Sequence, residues 1–329
     1  MNPGLHRLAL VAAIFAFVVI VLGAYVRLSH AGLGCPDWPG CYGQLTWPVH
    51  AEEVSQANEA FPERPVESAK AWKEMAHRYL AGTLVLLVMA INFLAWKRHN
   101  RPATRLLSAA LLALILFQAA LGMWTVTLKL LPIVVMGHLL GGFATFSLLL
   151  WLAWRTREPA DARPAEAFRP FRPMIITGLL VLVAQIALGG WTSANYSAMV
   201  CTEFPGCQGE LWPEMDFGEG FTLFREIGVD YEGGVLDLRS RMAIQMTHRL
   251  GALFTFILLG VLAIRLILRE PCRKSGAMLA ALLIFQVVLG IQNVLLHLPL
   301  ANAVAHNGMG ALLLASMLWL AYQSGDRSV

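Results

Sequence analysis

Residues 74–96 read EMAHRYLAGTLVLLVMAINFLAW, and residues 245–264 read QMTHRLGALFTFILLGVLAI. Each is an apolar run of about twenty residues, enough for a helix to cross the roughly 30 Å hydrocarbon core of a bilayer. Each opens on a His-Arg pair, an expensive thing to place at the edge of a membrane. That the same opening occurs twice makes the chain a repeat.

Working outward, the match extends in both directions. GCPDWPGCYGQLTWP at 34–48 answers VCTEFPGCQGELWP at 200–213, with Cys35 and Cys41 matching Cys201 and Cys207 at an offset of 166. Leu22-Gly23 corresponds to Leu188-Gly189, and Phe117-Gln118 with Leu121-Gly122 to Phe285-Gln286 with Leu289-Gly290. His77 pairs with His248 at an offset of 171, and His138 with His306 at 168. Matches in order at nearly constant offset define an internal repeat.

Composition agrees. Of 329 residues, 57% are hydrophobic and 14% charged, against about 25% charged in soluble domains. This excludes a disordered chain, a coiled coil and a disulfide-rich miniprotein. Apolar runs near 8–28, 75–96, 106–128, 133–154, 173–195, 242–264, 276–297 and 301–322 give eight spans. Pro102, Pro132, Pro173, Pro271 and Pro299 mark the connections between them. The first span is longer than a signal-peptide core and has a repeat partner, so it reads as a retained helix.

An even number of spans puts both termini on one side. That side carries 15 Lys and Arg against 8 opposite, and 5 acids against 16. The positive-inside bias makes the termini cytoplasmic. The scattered basic residues give no sign of nucleic-acid binding. The expected fold is an all-α polytopic membrane protein, its eight helices forming two four-helix bundles about a pseudo-twofold axis along the membrane normal. The expected divisions are 1–158 for the first repeat, 159–172 for a cytoplasmic linker and 173–329 for the second repeat.

Four of nine histidines are kept between the copies: His77, His138, His248 and His306. His6 and His99 lie at the cytoplasmic edge, His30 and His50 in the first outer loop, and His297 faces Lys129 in the other copy. The four lie three to seven residues past the starts of their apolar runs, at one depth, two per bundle. Two imidazoles without a carboxylate or thiolate at equal depth do not complete a tetrahedral zinc site. They suit the two axial positions of a haem, whose porphyrin supplies the other ligands. Gly82, Gly141, Gly142, Gly251, Gly308 and Gly310 follow the histidines and admit either a flat macrocycle or a neighbouring helix. Arg78 and Arg249 at the outer rim are placed to pair with haem propionates or to snorkel to the headgroups, and the His-Arg order kept in both copies favours the propionates.

One position breaks the symmetry. Glu74 stands three residues before His77 on the same helix face, where the second copy has Gln245. A carboxylate there can move protons and stabilise positive charge; it equally suits the exposed first turn of a helix. The two Cys-x5-Cys pairs read as local disulfides in an oxidising compartment, Cys35–Cys41 and Cys201–Cys207, because their spacing falls outside the usual zinc range. Cys272 reads as a cytoplasmic thiol. Trp38, Trp47, Trp72 and Trp212 belong to the headgroup level or to the cover of the pockets.

Taken together, the E-x-x-H-R of Glu74, His77 and Arg78, the H-R of His248 and Arg249, the lone His138 and His306, and the paired loop cysteines resemble the haem A synthase family over nearly the whole chain. The resemblance implies oxidation of a haem O ring methyl to a formyl group by successive hydroxylations, giving haem A for terminal oxidase assembly. It implies that His77 and His138 hold substrate haem O, that His248 and His306 ligate a haem b cofactor, and that Glu74 is the catalytic carboxylate. It attaches activity to Cys35 and Cys41 and leaves Cys201 and Cys207 structural. It places the protein in the bacterial inner membrane with its haem sites towards the periplasm. An electron acceptor, a haem O synthase and a second copy of the chain are its expected partners besides the lipid bilayer. A two-haem b-type electron relay is the alternative. A repeat-built transporter fits less well, since its ionisable residues would sit nearer the bilayer centre.

Overall fold

A computed structural model describes residues 3–98, 101–157 and 163–325. His99, Arg327, the terminal residue 329 and residues 159–162 of the expected linker lie outside the described residues. Eight helices are long and apolar enough to cross a membrane, so the protein is a multi-pass α-helical membrane protein. They are α1 (Pro3–Leu28), α2 (Ser68–Arg98), α3 (Pro102–Thr127), α4 (Pro132–Thr156), α5 (Arg172–Ala194), α6 (Leu238–Ile267), α7 (Arg273–Leu295) and α8 (Leu300–Ser324). No strand occurs among the described residues; Cys41 with Gln44 and Cys207 with Glu210 form isolated bridges.

The helix ends follow local chemistry. Proline occupies the first turn of α3 and α5, where its missing N–H costs nothing. Asp237 caps α6 by accepting the Ser240 N–H at 2.8 Å. The apolar runs understate α2 and α6, which begin several residues earlier in polar sequence at Ser68 and Leu238. His77 and His248 are therefore nine and ten residues into their helices, whereas His138 and His306 are six residues into α4 and α8. Hydropathy marks where a helix enters lipid, not where its hydrogen bonds begin.

The chain divides into two compact units. One contains residues up to 149 together with 222–235. Within it α1 packs on α2 and α2 on α3. Phe146 of α4 meets Phe17 of α1 at 6.1 Å between ring centroids. The other contains 150–221 and 236 onwards, where α5, α6, α7 and α8 pack in a closed ring, each on the next and α8 back on α5. The last turns of α4 belong to this second unit, with Trp154 against Trp319 at 5.2 Å.

The repeat reaches the backbone of each unit. His30 and Tyr196 end α1 and α5 with φ of 53° each, and Lys129-Leu130 and His297-Leu298 form matching left-handed turns after α3 and α7. His297 and Lys129 are thus equivalent turn residues. Each unit also carries a tight hairpin closed by its cysteine pair. Cys35–Cys41 and Cys201–Cys207 are disulfide-bonded. Asp37 accepts the N–H groups of Tyr42 and Gly43 across the first hairpin, and Glu203 that of Gly209 across the second. Trp47 packs with the first hairpin's buried cluster, while Trp38, Trp72 and Trp212 are exposed. Cys272 is buried and unbridged, its thiol facing the Ala167 carbonyl.

The longer loop of the second copy does something its composition does not announce. Residues 222–235 form a strap within the first unit. The Tyr231 N–H donates to the Lys129 carbonyl at 3.0 Å, and its ring is buried with Leu33, Val126, Leu130 and Leu131. Arg64 pairs with both Asp230 and Glu232.

Candidate functional site

All four repeated histidines rest on a glycine of the preceding helix. A Cβ built on Gly23 would lie 3.0 Å from Cε1 of His77, one on Gly122 3.4 Å from that of His138, one on Gly189 3.0 Å from that of His248, and one on Gly290 3.1 Å from that of His306. These are the glycines of the repeated Leu-Gly pairs. They were legible as repeat markers, but their use as imidazole seats needs the helix pairing to be known.

The glycines that follow the histidines serve otherwise. Gly141 and Gly251 make room for glutamines from neighbouring helices: a Cβ there would fall 1.7 Å from Nε2 of Gln118 and 2.3 Å from Oε1 of Gln185. Gly82 faces open space, and Gly142 and Gly310 make ordinary contacts.

In the first unit the His77 and His138 rings stand 6.5 Å apart between centroids and nearly perpendicular, at 84°. Two imidazole nitrogens each about 2 Å from one metal give a ring spacing of roughly 6–6.5 Å. In the second unit the His306 Nδ1–H donates to the Gln286 carbonyl at 3.1 Å, and the Gln286 side-chain N–H lies 3.3 Å from His306 Nε2. A carbonyl can only accept, so the proton is on Nδ1 and Nε2 presents its lone pair, the form that binds a metal. No group of three or more His, Cys, Asp or Glu suited to a bare ion occurs among the described residues. A guest that brings most of its own ligands, as a haem does, fits this donor set.

Glu74 is buried rather than displayed at a helix start. Its Oε2 accepts the Cys35 N–H at 2.9 Å, and its Oε1 pairs with Arg78. Arg78 also donates to the carbonyls of Asp37, Pro39 and Gly40, inside the disulfide loop. Arg249 holds the second hairpin likewise, through Cys201, Pro205 and Gly206. The guanidiniums expected to meet propionates are therefore engaged with hairpin carbonyls. Gln245, at the Glu74 position, makes only a long bond to the Ala198 carbonyl at 3.4 Å. Sequence spacing identified each of these residues; it did not show that carboxylate, arginine and disulfide loop form one connected group.

A model of the COX15-CtaA family, described as cytochrome oxidase assembly protein, matches residues 6–318. The chain is 48% identical over 312 residues to the heme A synthase of Shewanella oneidensis, covering 95% of this chain and 94% of that one. It is 29% identical to that of Rhizorhabdus wittichii, over 94% and 91% of the two chains. It is 27% identical to that of Shouchella clausii, over 97% and 95%. With the family model matched over nearly the whole chain and a relative 48% identical over 95% of it, the chain belongs to the COX15-CtaA family of cytochrome oxidase assembly proteins.

Proposed function

We propose that the protein is a haem A synthase, an oxidoreductase that converts a ring methyl of haem O to a formyl group. The observation that carries this reading is the Glu74 environment. Only one of the two histidine pairs has an ionisable carboxylate three residues before its first histidine on the same helix, and that carboxylate is locked to both the disulfide loop and Arg78.

In this reading His77 and His138 grip the substrate haem, and the glycine seats fix the imidazoles so that binding costs little reorganisation. Converting a methyl to a formyl group takes up one oxygen atom, here from water, and releases four electrons and four protons, the electrons leaving for an external acceptor. Glu74, buried and held by a cation, is positioned to take protons from the substituent through its carboxylate oxygens. His248 and His306 hold a haem b, which supplies a one-electron acceptor when bound. The halves 1–158 and 173–329 then divide the work into substrate and cofactor sides. The charge bias supports cytoplasmic termini in a bacterial inner membrane, with the pockets near the periplasmic surface. Haem O, being hydrophobic, is drawn from the membrane or from a haem O synthase.

The test is to purify the protein in detergent and analyse its extracted haems by chromatography and mass. Haem b together with haem O or haem A is expected, and Glu74→Gln is expected to keep bound haem but lose the oxidised product. Haem b alone at two per chain would instead establish an electron relay.

A further inference from the structure

Helices α1 and α5 are equivalent in the repeat, yet they differ at the residue one turn before the glycine seat. Gln185 stands in α5 where α1 has Val19. A second difference accompanies it. Gly251 stands in α6, one turn past His248, where α2 has Leu80. The two changes are one physical event, because the Gln185 carboxamide lies in the space that a side chain at 251 would fill, 2.3 Å from its Cβ position.

What the glutamine does there is specific. Its Nε2 lies 3.0 Å from His248 Nδ1 and donates to the His248 backbone carbonyl, also at 3.0 Å, while its Oε1 is buried without a partner. In the first unit His77 Nδ1 is buried with no hydrogen-bond partner. A histidine that ligates a metal is held in orientation and tautomer by the bond at its other ring nitrogen, and losing that bond costs on the order of 10–100-fold in affinity. A half-turn of the carboxamide gives up the backbone carbonyl and offers Oε1 to an Nδ1–H, so the same side chain serves the ring with Nδ1 bare or protonated.

We propose that Gln185, housed by Gly251, is the positioning residue that makes the second unit keep its haem, and that Val19 and Leu80 leave His77 unanchored so that the first unit can exchange its guest. An enzyme that modifies a haem must release it, whereas its electron acceptor must stay. The Gln185/Val19 difference assigns those two demands to the two pockets. This inference rests on the proposed division into substrate and cofactor halves.

The experiment follows transfer of haem b from detergent-purified holoenzyme to excess apomyoglobin, with the reduction potential of the retained haem measured in parallel. Gln185→Val is expected to release haem b about tenfold or more faster than the native chain. Gln185→Glu, which keeps an acceptor for Nδ1–H and adds negative charge, is expected to retain the haem and lower its potential. Release within twofold of native in Gln185→Val, or a native potential in Gln185→Glu, would overturn the inference. The second measurement decides alone if the valine variant fails to accumulate. His248→Ala separates the two levels of the argument. Haem b persisting in that variant refutes the division into halves. Haem b lost there, with Gln185→Val releasing at the native rate, refutes only the role of Gln185.

Discussion

The backbone N–H of Cys35 donates to the carboxylate of Glu74 at 2.9 Å, across 39 residues of chain, and so joins the first disulfide loop to the only buried carboxylate beside a histidine pair among the described residues. Replacing Glu74 by glutamine keeps the shape and one acceptor oxygen but removes the charge that Arg78 neutralises. Formation of oxidised haem product is expected to fall by roughly 10²–10⁴-fold, with haem content unchanged. Glu74→Ala leaves Arg78 without its carboxylate and is expected to lower stability by about 3 kcal/mol as well. Chromatography of extracted haems and thermal unfolding in detergent distinguish the two variants.

How far the sequence carried this site follows from the range of each interaction. The span count, the histidine pairs and the disulfides are local or periodic features, and a repeat doubles every one of them. Glu74 was visible as an asymmetry, but an exposed helix start and a buried catalytic group look alike until the Cys35 loop is folded against α2. The strap at 222–235 is marked neither by hydropathy nor by the repeat. Its burial depends on Tyr231 finding Leu33, Val126, Leu130 and Leu131, and no periodicity records a pairing across 100 residues or more.

The two disulfides are expected to differ in consequence. Each closes a loop with a sequence separation of six, and loop-closure entropy assigns each a contribution of about 2 kcal/mol. Only the first loop touches Glu74 through a cysteine N–H. Cys35→Ser with Cys41→Ser is expected to depress turnover at least about tenfold through misplacement of the carboxylate. Cys201→Ser with Cys207→Ser is expected to lower thermal stability and leave turnover per bound haem close to native. Equal loss of turnover in both double variants would contradict the linkage through Glu74.

The strap gives a prediction about the loop side of the first unit. Arg64 is 28% exposed and shared between two acids, so Arg64→Ala is expected to cost about 0.5–1 kcal/mol. Tyr231 stays buried, so the segment should loosen rather than detach. Limited proteolysis is expected to cut within 222–235 faster in Arg64→Ala, and faster still in Tyr231→Ala, with cleavage elsewhere unchanged.

The glycine seats supply the sharpest contrast between the halves. An added methyl at Gly23 or at Gly189 would lie 3.0 Å from the Cε1 of the imidazole resting there, closer than carbon atoms settle without strain. The neighbouring helix cannot retreat freely, so the ring is displaced by a few tenths of an ångström, and ligand geometry suffers where rigid positioning matters most. Because each seat serves one histidine, the damage should stay within its own unit. Gly189→Ala is expected to weaken haem b retention about tenfold and leave haem O binding intact, whereas Gly23→Ala should do the reverse. Titrating each detergent-purified variant with haem b and with haem O, and following the Soret absorbance, reads both affinities. If either substitution weakened both haems equally, the two units would not hold their guests independently, and the assignment of one histidine pair to each haem would fail.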